Sequence, residues 1–361
     1  MLKCRPGIME LAPYVPGKSQ VPGNFSPIKL SANESALGPS EKAIEAFYKC
    51  SNLLHLYPDG NSIDLRASLG EVNGLNPENI VCGAGSDELL YNLARGYAGP
   101  GDEVLISDHA FNVYPIVAYC VGANPVKVPE NNLTFDVEAT IESVSDKTKI
   151  VFIANPNNPT GSYITSDELR RLRAGLREDI LLVIDCAYAE FVTNKDYNVG
   201  YDLVDGGENT VVTRTFSKIY ALAALRIGWC YAPPPIVDVL NRLRGPFNLS
   251  TPAQSAGKAA VEDISHMLEA KEHNTVWLPW LRDALTECGL KVYPSVANFL
   301  LVQFGDNESN NAQEAMKFFA NKGILPRETS GYGLPNCLRV TVGKQKELEK
   351  FVGVVEEFLA K

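Results

Sequence analysis

No apolar run in this 361-residue chain approaches the roughly 18 residues a membrane helix needs, and the opening MLKCRPGIMELAPY has no leader-like apolar core. A soluble, cytoplasmic protein is expected. Cysteine is present but never as C-x-x-C: positions 4, 50, 82, 120, 186, 230, 288 and 337 are scattered, most among apolar neighbours, which excludes a zinc knuckle or a disulfide framework. Histidine is scarcer still, with four residues, and the spacing of His266 and His273 reads as a solvent-facing helix stripe, so no metal site is expected. Positive charge is in deficit, 33 Lys and Arg against 43 Asp and Glu for a net charge of -10. That balance argues against a nucleic-acid or anionic-membrane partner, and any bound anion must sit in a small pocket with a few placed donors. Internal repeats, low-complexity tracts and flexible linkers are also missing.

What is there is core-forming: 45% of the residues are hydrophobic, enough for two domains. Short apolar runs alternate with longer amphipathic ones, the pattern of a parallel sheet covered on both faces by helices. The runs NIVCGA (79–84), EVLISD (103–108), NPVKVP (124–129), KIVFIAN (149–155), LLVIDC (181–186), TVVTRT (210–215) and RIGWCYA (226–232) predict a mostly parallel, seven-stranded sheet. Helices are expected at SDELLYNLARGYA and at TSDELRRLRAGLR, the latter opened by a capping box from Thr165 to Glu168. After Pro246 the texture changes to one long helical stretch, bent near Pro279, then to strands around LKVYP, NFLLVQF and CLRVTVG. The reading is α/β: a large domain over 35–248, and a smaller α+β domain from 1–34 and 249–361.

Ligands of open α/β sheets bind beyond the carboxyl ends of the strands, so the polar residues there carry the chemistry. Three ends stand out: Asn155 opening NPNNPTG, Asp185 in DCAY, and Thr215-Phe216-Ser217-Lys218, with Arg226 eight residues on. Singly, each has an ordinary explanation: a tight turn, a helix cap, a solvated lysine. Jointly, they supply what pyridoxal phosphate (PLP) requires. Lys218 can hold the aldehyde as an imine and shuttle a proton, and Asp185, leaving a buried strand, can keep a pyridine nitrogen protonated. Asn155 and Tyr188 have the acceptor and donor chemistry to tune the phenolic oxygen. Gly83-Ala84-Gly85-Ser86-Asp87 opens a helix whose free N–H groups, with Ser217 and Arg226, can cup a phosphate. The same segment lacks the third glycine and the Walker lysine of nucleotide loops.

At this point the chain resembles a known family. TRTFSKIYALAALRIGW is similar to the lysine motif of histidinol-phosphate aminotransferases, which are fold-type I PLP-dependent transferases. RPGIMELAPYVPGK, LSANESALGPS, LYPDGNSIDLRASL, GAGSDELL, NPNNPTG, DCAYAEF, RGPFNLS and CLRVTVG resemble that family's other blocks, in order, over nearly the whole chain. The resemblance implies a homodimer with shared sites, in which Tyr57 reaches the partner's cofactor phosphate. It implies that Phe111 covers the pyridine ring, that Thr215 joins the cofactor set, and that Arg339 clamps a substrate carboxylate. Tyr14 and Arg327 then line the substrate's other end, where a phosphate would lie, and Asn33 joins the substrate-binding set. Two residues depart from the pattern: Cys186 replaces the glutamate of D-E-A-Y, and Ala221 replaces a glycine after Ser-Lys-x-x. Packing changes with retained activity are expected from both.

The activity implied is transamination of L-histidinol phosphate with 2-oxoglutarate to imidazole-acetol phosphate and L-glutamate, a step of histidine biosynthesis. Rivals on the same scaffold are an aromatic amino-acid (phenylalanine or tyrosine) aminotransferase, a dual-specificity enzyme, and a threonine-phosphate decarboxylase. A PLP-binding regulator is the rival from another class, and it would carry a fused DNA-binding segment.

Overall fold

The computed structural model describes residues 4–11 and 27–361, so Tyr14 lies outside the described residues. All seven apolar runs form strands of one sheet: β1 (Ile80–Gly83), β2 (Glu103–Ser107), β3 (Asn124–Val128), β4 (Thr148–Ala154), β5 (Leu181–Asp185), β6 (Thr210–Thr215) and β7 (Gly228–Tyr231). The order is β1-β7-β6-β5-β4-β2-β3, and only β7 runs against its neighbours. The runs are continuously apolar because both faces are covered. Val151, Ile153, Leu182 and Ile184 join one core, whereas Ile150, Phe152, Leu181 and Val183 join the core on the opposite face. Each fully buried aliphatic side chain contributes about 1.5–3 kcal/mol.

Helix α1 (Gly85–Tyr97) follows β1 and buries Leu89, Leu90, Leu93 and Ala94. Helix α2 (Ser166–Gly175) starts at the expected capping box: Thr165 Oγ1 accepts from Glu168 N–H, and the Glu168 carboxylate accepts from Thr165 N–H.

The long helical stretch expected after Pro246 is two helices, a correction. Helix α3 (Thr251–Glu262) ends at Asp263, whose φ of -86° and ψ of 66° leave the helical region, and α4 (Ile264–Glu287) continues through Pro279. Asp263 is held there by its own carboxylate, which accepts from Lys42 Nζ at 2.8 Å and from Ser265 Oγ at 3.0 Å. Such local side-chain bonds compete with helix continuation. Helix α3, beyond the expected boundary at 249, buries Ala253, Ala256 and Ala260 in the first core. Helix α4 passes from that core at Ala270 to a separate one at Leu281 and Leu285.

The separate core includes Leu300, Val302, Phe319, Val340 and Phe351. Above it lies an antiparallel sheet of β8 (Lys291–Val292), β9 (Phe299–Gln303), β10 (Arg327–Glu328) and β11 (Cys337–Thr341), in the order β8-β9-β11-β10. The N-terminal segment joins this unit through Ile28–Lys29, which pairs in parallel with Ile324–Leu325.

Candidate active site

Strands β4, β5 and β6 are adjacent and parallel, so their carboxyl ends deliver Ala154, Asp185 and Thr215 to one sheet edge. A cavity of about 290 Å³ opens there. Its wall contains Ser86, Asp87, Phe111, Asp185, Tyr188, Thr215, Ser217, Lys218 and Arg226 from the large sheet's side. Asn33, Arg327 and Arg339 close it from the other unit.

Lys218 Nζ donates to the Ala32 carbonyl at 3.0 Å. Loss of hydration, helped by the Arg339 charge, pulls its ammonium down to about 8. The free, nucleophilic amine is therefore reached at a lower pH than for an ordinary lysine. Asp185 lies at the floor, 5% exposed. Its carboxylate accepts from Tyr114 at 2.9 Å and Thr213 at 3.1 Å, and no ion pair reaches it among the described residues. Burial raises its pKa to about 6, with those two hydrogen bonds opposing the rise. A buried carboxylate in this condition is stabilised by any cationic N–H group brought against it.

The phosphate-like end is built from backbone. Helix α1 has no side-chain hydrogen bond from its N-cap residue, and Ser86 and Asp87 of its first turn line the cavity, which brings the positive end of the helix dipole to it. Arg226 Nη1 donates to Ser217 Oγ at 3.3 Å, and Nη2 meets Asp87 at 3.2 Å. Glycine is obligatory at two places. Gly85 has φ of 79°, and a Cβ there would lie 2.5 Å from Arg226 Nη2; at Gly228 a Cβ would lie 2.1 Å from Ser86 N.

At the opposite end Arg339, on β11, is 4% exposed. Its Nη1 donates to Asn158 Oδ1 and its Nη2 to the Ser31 carbonyl at 2.7 Å, while buried Nε has no partner. A guanidinium that lines a cavity suits a carboxylate. Asn33, with φ of 55°, donates from Nδ2 to Tyr188 Oη at 2.9 Å. Burial raises the Tyr188 hydroxyl to about 12.

The expectation for Asn155 is corrected. Its amide is spent on the Ile164 backbone, donating to the carbonyl at 3.2 Å and accepting from the N–H at 3.0 Å, and it does not line the cavity. Asn158 takes the place in the wall. Tyr57 is 83% exposed and stacks on Phe247 at 4.7 Å, away from its own chain's cavity. The sequence reading also missed Tyr114, Thr213, Lys29 and Tyr332. Tyr332, 4% exposed, lines the cavity. No group of three or more His, Cys, Asp or Glu residues is arranged to hold a metal among the described residues, and no helix there is long and apolar enough to cross a membrane.

A nucleophilic amine, a buried carboxylate lacking a cation and a helix-terminus anion cradle at one strand edge define a class. The chain belongs to the family described as aminotransferase class I and II, which it matches over residues 26–355. It is 53% identical over 355 residues to a histidinol-phosphate aminotransferase of Paramagnetospirillum magneticum, covering 98% of each chain. A second relative of that name, from Maricaulis maris, is 49% identical, again with 98% of each covered. Among solved structures, the histidinol-phosphate aminotransferase of Sinorhizobium meliloti in complex with pyridoxal-5'-phosphate superposes with a TM-score of 0.87 at 26% identity, covering 92% of this chain and 91% of that one.

Proposed function

We propose that this chain is a PLP-dependent aminotransferase that moves an amino group from L-histidinol phosphate to 2-oxoglutarate, giving imidazole-acetol phosphate and L-glutamate. The observation that carries the chemistry is the convergence of Lys218, Asp185 and Arg226 on one cavity. The substrate rests on the two relatives of that name spanning 98% of the chain; the aromatic alternative has no such support.

The residues fit PLP. Asp185 would face the pyridine nitrogen, Lys218 the aldehyde carbon, and the α1 N-terminus with Ser217 and Arg226 the phosphate; Asn158 and Tyr188 would face the phenolic oxygen. When bound, the cofactor supplies an electron sink for the bonding pair at the substrate's α-carbon. The protein's part is proton handling and orientation. Lys218 Nζ, its charged form disfavoured by burial, would take the substrate's α-proton and deliver it to the former aldehyde carbon of the cofactor. Asp185 would hold a proton on the ring nitrogen. Arg339, anchored by Asn158 and Ser31, orients the carboxylate of glutamate through a planar, bidentate donor set. Arg327, with Tyr14, would receive the substrate phosphate.

The working unit we propose is a cytoplasmic homodimer. Leu54, Leu56, Tyr57 and Ile63 are 73%, 57%, 83% and 59% exposed, and Tyr57 adjoins exposed Phe247. Apolar exposure on that scale, with an aromatic ring unused by its own cavity, fits a partner subunit. We also propose that the large unit extends through α3, with the change of unit inside α4, because those helices pack accordingly.

The purified protein tests the activity: histidinol phosphate should bleach a PLP absorption band that Lys218→Ala lacks, and 2-oxoglutarate should restore it. A band that phenylalanine shifts and histidinol phosphate does not would transfer the chain to the aromatic class.

A further inference from the structure

The two substrates proposed for this cavity differ in charge distribution. Glutamate carries one negative charge at each end, whereas histidinol phosphate has no carboxylate and concentrates about -1.5 to -2 charges on its phosphate near neutral pH. A wall that serves both needs a cation that the phosphate uses and the carboxylates do not.

Lys29 is the lysine, other than Lys218, that lines the cavity among the described residues. Its backbone is fixed: Ile28 N–H donates to the Gly323 carbonyl at 2.8 Å and Leu30 N–H to the Leu325 carbonyl at 2.9 Å. Lys29 stands opposite Leu325, two residues before Arg327, and both cations line the cavity. Lys29 Nζ is 2.7 Å from Glu34 Oε1, and the two side chains are 32% and 45% exposed. An ion pair this exposed contributes little to stability. The Glu34 charge does reach into the cavity, where it acts to raise the Lys218 pKa against the effect of burial. With both side chains partly exposed, solvent screens the pair, so the Glu34 charge weighs little on an incoming carboxylate.

We propose that Lys29 is a specificity-determining residue that turns from Glu34 to the substrate phosphate and so favours a phosphorylated amine over a dicarboxylate. The proposal rests on the function proposed above. With a two-carboxylate ligand the lysine stays on Glu34 and the cavity mouth stays neutral. With a dianion, the compact ammonium on its flexible stem supplies the extra positive charge that Arg327 and Arg339 do not.

The test is half-reaction kinetics of the holoenzyme, followed by absorbance, for Lys29→Gln, Lys29→Arg and Glu34→Gln. Lys29→Gln should raise KM for histidinol phosphate about tenfold, one charge-assisted contact, with kcat and KM for glutamate within about twofold. Lys29→Arg should recover most of the loss, and Glu34→Gln should leave KM for histidinol phosphate equal or lower. Equal changes in both KM values, no change in either, or a rise in Glu34→Gln matching that in Lys29→Gln would overturn the role, the last by making the pair structural. Inorganic phosphate gives a separate readout, since its competition against glutamate should weaken in Lys29→Gln and not in Glu34→Gln. Wild-type enzyme that ignores histidinol phosphate removes the proposed function, and the phosphate competition still decides for or against Lys29.

Discussion

Arg339 on β11 donates to Asn158 in the turn after β4, one hydrogen bond that ties the small sheet to the large one across the cavity. This contact orients a guanidinium that also lines the cavity.

Asn158→Ala should therefore raise KM for glutamate about tenfold, the scale of one hydrogen bond to a charged group, with the fold intact. Asn155→Ala should do the reverse. It strands the buried N–H and carbonyl of Ile164, costing about 2–4 kcal/mol of stability, while the stable fraction keeps its KM. Steady-state kinetics paired with urea unfolding separates the two, and matching phenotypes would contradict the assignment.

The Lys218 amine sets the pH at which apoenzyme takes up PLP. Its pKa, held at about 8 by burial, leaves it charged below that pH and nucleophilic above it. The reconstitution rate should rise from pH 6 to about 8 and level off beyond, where an ordinary lysine would keep rising toward pH 10 or so. Linkage has the same sign. The lowered folded value contributes stability that is present above the ordinary lysine pKa and lost as pH falls through about 8. A rate still climbing steeply at pH 10 would remove the buried-amine account.

Ala221 has φ of 55° in the turn closed by its N–H to the Lys218 carbonyl at 3.0 Å. A left-handed φ suits the glycine that the resemblance implies there: the departure concerns backbone conformation, where packing alone was expected. Ala221→Gly should stabilise the protein by about 1 kcal/mol, the left-handed penalty less the added freedom of the unfolded chain. Its unfolding midpoint should increase, and a decrease would show that the alanine methyl makes compensating contacts.

Leu54→Asp should place a charge in the proposed subunit contact. Sedimentation should then report a halved mass, together with weaker PLP retention if Tyr57 serves the partner's site. An unchanged mass with full retention would refute that role of the exposed apolar surface.

Much of this protein was legible along the chain because the signals are local. Seven apolar runs had to be strands buried on both faces, and Thr165 and Glu168 had to begin a helix. Lys218 and Asp185 announced themselves at the carboxyl ends of parallel strands, which a parallel sheet brings to one edge, and Arg226 by leading into the antiparallel β7, whose start lies at that same edge. Contacts decided the rest. Three asparagines in NPNNPTG are chemically equivalent in sequence, and only the fold of the turn commits Asn155 to Ile164 and aims Asn158 at Arg339. The break at Asp263 depends on Lys42, 221 positions away, and Lys29 reaches the cavity because a short N-terminal strand pairs beside Arg327. Sequence fixes which side chains carry chemistry; distance in space, which chain order does not encode, decides what each one touches.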